Sequence, residues 1–318
     1  MICRICGSLD TRELPVGNYE EFFRLRVDTS KDQFLLFSRA ASIQLKPASL
    51  SVRAFRKIRK LLSTPKLKPA MQFRTYMQAC ASCHGITPCH EYSYEDLLGL
   101  YRDYRTESYN RDRISVEPSY ARIAKDVGSH SLEIKSRNDA VDRFLGRNSN
   151  AFAGGAMIDY GGSDGRFIPP FAYKNFERIY IYDVSIAPLH PSVDVRKVER
   201  LAAPKPEAYS FLACMHVLEH VGNPRAFVID AAQYVQPGGL IYIEVPLELS
   251  QSMRENFEQR IVDPPIGIHE HINKFDRTSI RALVDSIPGL EIVDDAEDGE
   301  DLGWVRTITG RFLARKST

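Results

Sequence analysis

MIDYGGSDGRF, residues 157–167, is the stretch that decides the fold. An apolar run closes on Asp159, passes through Tyr160-Gly161-Gly162-Ser163-Asp164-Gly165, and opens a new element at Arg166-Phe167. Glycines there permit a tight turn and let a ligand approach the backbone where a side chain would collide. The next apolar run, RIYIYDV, ends in Asp183, 24 residues beyond Asp159. A carboxylate at the end of a second strand is placed to accept both hydroxyls of a ribose. A dinucleotide site wants G-x-G-x-x-G with a helix N-terminus aimed at pyrophosphate. The spacing here differs, and Asp159 and Asp164 would set negative charge beside a pyrophosphate. A cationic nucleoside without phosphate suits two carboxylates better.

Outward from this turn, short apolar runs alternate with helical segments. AMIDY, RIYIYDV, FLACMHVL and LIYIEVP read as buried strands. PRAFVIDAAQYV lies among them as a helix, with Asn223 as N-cap and Pro224 at its first position. This alternation implies a parallel sheet covered on both faces. DRTSIRALVDSI predicts one more helix, and LEIVDD and TITGRFLARK predict two last strands with an antiparallel edge.

The D-x-G-x-x-x-G turn, the acid at the next strand end, HVLEHV (216–221) and QPGGLIYIEVP together resemble class I S-adenosylmethionine-dependent methyltransferases. The resemblance covers about 151–315. It implies an α/β fold with a Rossmann-like seven-stranded sheet and S-adenosylmethionine as cofactor. By that resemblance Asp159, Gly161, Gly162, Ser163 and Gly165 line the methionine end, Asp183 binds the ribose, and His216 faces the cofactor. Ser163 stands where the family often has a glycine, Tyr209-Ser210 replaces a common aspartate, and no acid follows the third strand to hold the adenine.

The six cysteines include two pairs, Cys3-x2-Cys6 and Cys80-x2-Cys83. In a reducing compartment such pairs read as a closed tetrahedral zinc site, structural rather than catalytic. Cys89, His84 and His90 are spare donors close by. Paired cysteines ahead of LLGLYRDY and a methyltransferase core resemble a bacterial group acting on sugars, including nucleotide-sugar C-methyltransferases of glycan and natural-product assembly. Three regions follow: a zinc-binding lobe over 1–92, a helical linker or lid over 93–150, and the cofactor domain over 151–318. Within the lobe, residues 46–68 hold eight basic and no acidic residues, and RAFRKIRKLL could form a short amphipathic helix. In the linker, YSYEDLLGLYRDY and SYARIAKDVG have helical spacing, and the tyrosines read as packing between lobes.

A sulfonium methyl is already activated, so the enzyme's tasks are in-line alignment and removal of the acceptor's proton. HVLEHV falls at the carboxyl end of the fourth strand, on the ligand side of an open α/β sheet. It brings His216, Glu219 and His220 towards the reacting groups. HEHINKF adds Glu270 and His271, which match in type and place a Glu-His pair used for acid/base work in the resembling sugar enzymes. His220 and His271 lead as proton-transfer groups, with Glu270 orienting and Glu219 alongside. For each histidine the plainer reading is a hydrogen-bonded structural residue, and Glu219 could simply cap a helix. Magnesium on His269-x-His271 is a poor match because that ion prefers oxygen.

A net charge of +1 over 318 residues argues against global attraction to nucleic acid or an anionic membrane. No apolar run has the length of a membrane span, and MICRICGSLD lacks the apolar core of a secretory signal, so a cytoplasmic protein is expected. The expected acceptor is a sugar or nucleotide-sugar, or a glycan carrying one. The alternatives are a nucleic-acid methyltransferase clamping through the zinc lobe and basic segment, and a scaffold that binds the cofactor without turnover.

Overall fold

A computed structural model describes residues 1–19, 21–27, 74–101, 103–185, 187–249, 266–268, 270–303 and 306–318. The basic stretch 46–68 lies outside them, as does His269. The chain opens with the Cys3–Cys6 turn, then β1 (Thr11–Tyr19) and α1 (Glu21–Arg26). β2 (Arg74–Cys80) and β3 (Ile86–Pro88) follow, on either side of the Cys80–Cys83 turn. β1 and β2 pair antiparallel with Thr11 opposite Cys80, which brings the two cysteine turns together.

Between β3 and the large sheet the described residues form α2 (Tyr94–Tyr101), α3 (Glu107–Val116) and α4 (Ser131–Arg147). α3 starts at Thr106, whose hydroxyl accepts from Tyr109 N at 3.2 Å and so satisfies one of the free donors of the first turn. SYARIAKDVG does not make the expected helix. It forms a 3-10 turn at Pro118–Arg122 that folds back on α3, where the Arg113 guanidinium lies 3.6 Å over the Tyr120 ring.

The large sheet holds β4 (Ala156–Tyr160), β5 (Arg178–Tyr182), β6 (Val198–Arg200), β7 (Tyr209–Met215) and β8 (Val235–Pro246), joined in part through α5 (Pro170–Asn175) and α6 (Pro224–Tyr234). The short β9 (Ile266–Ile268) leaves this sheet and pairs parallel with β1, so the small sheet runs β3-β2-β1-β9. After α7 (Arg277–Asp285), β10 (Leu290–Asp301) and β11 (Arg306–Lys316) complete the order β10-β11-β8-β7-β4-β5-β6. β4 to β8 are parallel neighbours and β11 is antiparallel to both β8 and β10. This is the seven-stranded sheet with an antiparallel edge that the sequence predicts.

Both faces are buried, as a parallel sheet requires. Alternate residues go to opposite cores: Met157, Phe211 and Leu240 to one, Ile158, Leu212 and Ile241 to the other. Phe176 from the end of α5 stacks on Phe211 with ring centroids 5.2 Å apart. Asn223 caps α6 by accepting from Ala226 N at 3.1 Å, with Pro224 behind it, as the sequence predicts. Strand order reverses between β4 and β7, and the crevice at their carboxyl ends is where open α/β sheets take ligands. No helix among the described residues is long and apolar enough to cross a membrane.

Candidate active site

That crevice is a cavity of about 1080 Å3, walled by the turn after β4, the ends of β5 and β7, and the tyrosines of α2 and the loop after it. Its volume slightly exceeds the roughly 300–1,000 Å3 usual for one small ligand. In the turn, Gly161 has φ +91°, and a Cβ there would fall 2.5 Å from Val217. A Cβ at Gly162 would strike the Asp159 carboxylate. Ser163 takes φ +46°, a conformation that favours glycine. It stays there because its N–H donates to Asp183 Oδ2 at 2.8 Å, while Ser185 N donates to Oδ1 at 2.6 Å. Two backbone donors thus orient Asp183 and leave further lone pairs for a ligand's hydroxyls.

Asp159 is buried, and its Oδ1 has no hydrogen-bond partner. Burial and the nearby charge of Asp183 push its carboxyl up to about 7, against the pull of Arg137. A bare buried carboxylate beside a glycine turn fits a cationic ligand, which would supply the missing partner. Asp164 is already satisfied, since Arg166 Nε donates to both of its oxygens at 3.0 and 2.9 Å.

HVLEHV holds a strained bend, with His216 at φ +54° and its N–H donating to the Glu244 carbonyl at 2.8 Å. His216 lies between two buried carboxylates: Nδ1 is 3.3 Å from Glu219 Oε1 and Nε2 is 3.1 Å from Glu244 Oε1. These are close electrostatic contacts without the alignment of hydrogen bonds. Burial and Arg137 push the imidazole down, Glu219 and Glu244 push it up, and the net direction is up. Glu219 is fully buried; burial raises its carboxyl, and the surrounding histidines, His216 first, bring it down to about 2.

His220 lines the same cavity. Its Nδ1 is 3.0 Å from the Glu270 carbonyl and 3.1 Å from Tyr101 Oη. Tyr101 itself donates to the Glu270 carbonyl at 2.5 Å. The consistent assignment puts the proton on Nδ1 and leaves Nε2 as an acceptor. Burial lowers the imidazole to about 4, so it is neutral at pH 7. The His271 ring lies 4.8 Å away, centroid to centroid.

The carboxylate within reach of His271 is Glu248, with Oε2 3.2 Å from Nδ1 and 3.1 Å from Lys274 Nζ. Glu270 is occupied otherwise. Its carboxylate accepts from Tyr104 Oη at 2.8 Å and from Tyr109 and Arg113, which ties the loop after β9 to α3. The sequence alone marks none of Glu248, Arg137 and Glu244. Glu244 is hidden inside an apolar strand, and Arg137 in a helix with no motif. Glu248 is separated from His271 by a stretch of chain that carries no motif of its own.

Cys3, Cys6, Cys80 and Cys83 come together with their sulfurs within 4.8 Å of one another. Cys3 Sγ is 3.8 Å from Cys83 Sγ, and Cys6 Sγ is 3.7 Å from Cys80 Sγ. Four thiolates at about 2.3 Å from a tetrahedral zinc stand about 3.8 Å apart, so the spacing fits that ion and is too wide for a disulfide. The spare donors lie outside this cluster: His84 Nδ1 faces Asp276 Oδ2 at 3.9 Å, and Cys89 accepts through its carbonyl from Arg4 at 2.7 Å.

A family model described as a methyltransferase domain matches residues 133–294, about half of the chain. The chain belongs to that family. It is an S-adenosylmethionine-dependent methyltransferase. It is 24% identical over 191 residues to a ubiquinone biosynthesis O-methyltransferase of Aliivibrio fischeri, covering 52% of this chain and 80% of that protein. A protein of the same name from Photobacterium profundum is 33% identical over 98 residues, 30% of this chain and 41% of that one. Among solved structures, the 1,6-didemethyltoxoflavin-N1-methyltransferase of Burkholderia thailandensis aligns over 75% of this chain and 98% of its own, at 12% identity and a TM-score of 0.45.

Proposed function

We propose that this enzyme transfers the methyl group to a sugar or nucleotide-sugar, with His220 and His271 as the proton-accepting groups and a structural zinc on the four cysteines. The observation that carries this reading is that the bare Asp159 carboxylate and the neutral His220 imidazole open into one cavity. Bound at the glycine turn, the cofactor supplies an already activated methyl group. Asp183 accepts from its ribose hydroxyls, Asp159 faces its positive end, and Arg137 is the nearby cation for its carboxylate. Gly161, Gly162 and Gly165 keep side chains out of that space, and Ser163 holds Asp183 in place.

His220 Nε2 and His271 then stand on the acceptor side. Each has a fixed tautomer or partner: the Glu270 carbonyl for His220, the Glu248 carboxylate for His271. An imidazole held this way takes a proton from a hydroxyl, or from a carbon next to a carbonyl, as the methyl is transferred. His216, Glu219 and Glu244 form the charged floor beneath. Glu270 acts at one remove by fastening α3 over the cavity.

A second reading is a phenolic acceptor. The cavity wall of Tyr92, Tyr94, Tyr101 and Tyr104 offers aromatic faces, and the relatives named above are ubiquinone biosynthesis enzymes by name. Calorimetry with S-adenosylhomocysteine followed by a mass-spectrometric panel of nucleotide-sugars and catechols separates the two. Methylation of catechols alone would replace the sugar reading. Full turnover of the true acceptor by both His220→Ala and His271→Ala would remove the base assignment.

A further inference from the structure

We propose that Arg105 anchors a phosphate group of the acceptor. This rests on the sugar reading above and narrows it to a phosphorylated or nucleotide-linked sugar. Four arginines of the described residues line the cavity: Arg105, Arg113, Arg137 and Arg166. Three face carboxylates. Arg113 pairs with Glu270 and with Glu117 at 3.1 Å, and Arg166 binds Asp164. Arg137 stands 3.7 Å from Glu133 and 3.5 Å from Glu244. Arg105 has no ion pair with a described carboxylate, and its buried Nε has no hydrogen-bond partner.

Its seat is nonetheless built. The guanidinium lies 4.7 Å over the Tyr104 ring, which fixes its plane. It also fills the place that a side chain at Gly128 would need. The backbone of Arg105 takes φ +60°, a left-handed conformation costly for a long side chain. A half-buried cation whose Nε is shut off from water without a partner, held in a strained conformation at the wall of a ligand cavity, is what a site for an anionic oxygen group looks like before it is filled. The planar guanidinium suits bidentate recognition of phosphate. Glu133 and Glu270 act on the same cation from α4 and from the loop after β9, so a weakly held anion must compete with them. A multiply charged phosphate competes best.

The test uses the whole protein saturated with S-adenosylhomocysteine, titrated with inorganic pyrophosphate and followed by calorimetry. The wild type should bind pyrophosphate. Arg105→Met should weaken that binding at least tenfold while changing S-adenosylhomocysteine affinity less than twofold, and Arg105→Lys should restore part of it. Circular dichroism and melting temperature confirm that the variants fold. Equal pyrophosphate binding by wild type and Arg105→Met, or none by either, would overturn the proposal. So would a loss confined to S-adenosylhomocysteine that spares methylthioadenosine, since the anion would then be the cofactor's own carboxylate. The titration is repeated without nucleoside. A wild type that ignores S-adenosylhomocysteine but shows Arg105-dependent pyrophosphate uptake would thus indict the cofactor reading and leave this one standing.

Discussion

His271 Nδ1 lies 3.2 Å from Glu248 Oε2, so a histidine of the loop after β9 is oriented by a carboxylate from the end of β8 rather than by its own neighbour Glu270. Burial raises the Glu248 carboxyl, and His271 and Lys274 bring it down to about 2, which keeps it charged. Glu248→Gln should lower kcat about tenfold to a hundredfold with little change in cofactor KM. His271→Ala should cost about 10²–10⁴-fold, the usual range for a general base. Steady-state kinetics on the identified acceptor measure both. Equal kcat in Glu248→Gln and wild type would detach Glu248 from the proton transfer.

Asp159 predicts a pH dependence of cofactor binding. Its carboxyl is held near 7 without ligand, and a cation binds the ionised form. S-adenosylmethionine affinity should therefore fall about tenfold per pH unit as pH drops below about 7, with a proton released on binding near pH 6. Calorimetry in buffers of different ionisation enthalpy reads that proton directly.

The raised Asp159 carboxyl also has a stability consequence. The unfolded carboxyl ionises near 3.8 and the folded one near 7, so stability is lost as pH rises between them and stays lower above 7. A gap of that size corresponds to about 4 kcal/mol at most. Asp159→Asn should raise the melting temperature at pH 8, leave it nearly unchanged at pH 4, and abolish cofactor binding. A lower melting temperature at pH 8 would contradict the buried-charge account.

His216→Ala should destabilise the protein by about 3–5 kcal/mol, because it strands the fully buried Glu219, whereas Glu244 keeps Arg311 at 3.2 Å and Arg137 at 3.5 Å. Denaturant unfolding of the cofactor-free protein is the measurement. Glu219→Gln combined with His216→Ala should recover part of the loss.

Elemental analysis should find one zinc per chain, and Cys80→Ser should lose it together with the cooperative melting of the small lobe. Zinc retained at full stoichiometry in that variant would assign the metal elsewhere.

Much of this is legible in the chain. The glycine turn, the acid 24 residues on, and the alternation of apolar runs with helices are local patterns, and local patterns survive in one dimension. The two C-x2-C pairs stand out equally in the chain, and the fold brings their four sulfurs together. SYARIAKDVG gives a 3-10 turn instead of the helix its spacing suggests, with the Tyr120 ring under the Arg113 guanidinium, a contact that its local pattern does not announce. Nothing local marks Arg137, Glu248 or the role of Glu270, since each depends on a partner far away in sequence.

The sequence by itself determined the parallel sheet, the class of cofactor and the residue types at the strand ends, because strand periodicity, turn glycines and buried carboxylates act over a few residues. Only the tertiary structure decided which charges face one another: Glu248 with His271, Glu270 with α3, His216 between two buried acids, and Arg105 without an ion pair among the described residues. Coulomb energy depends on separation in space and on burial, and neither is written in the order of residues along the chain.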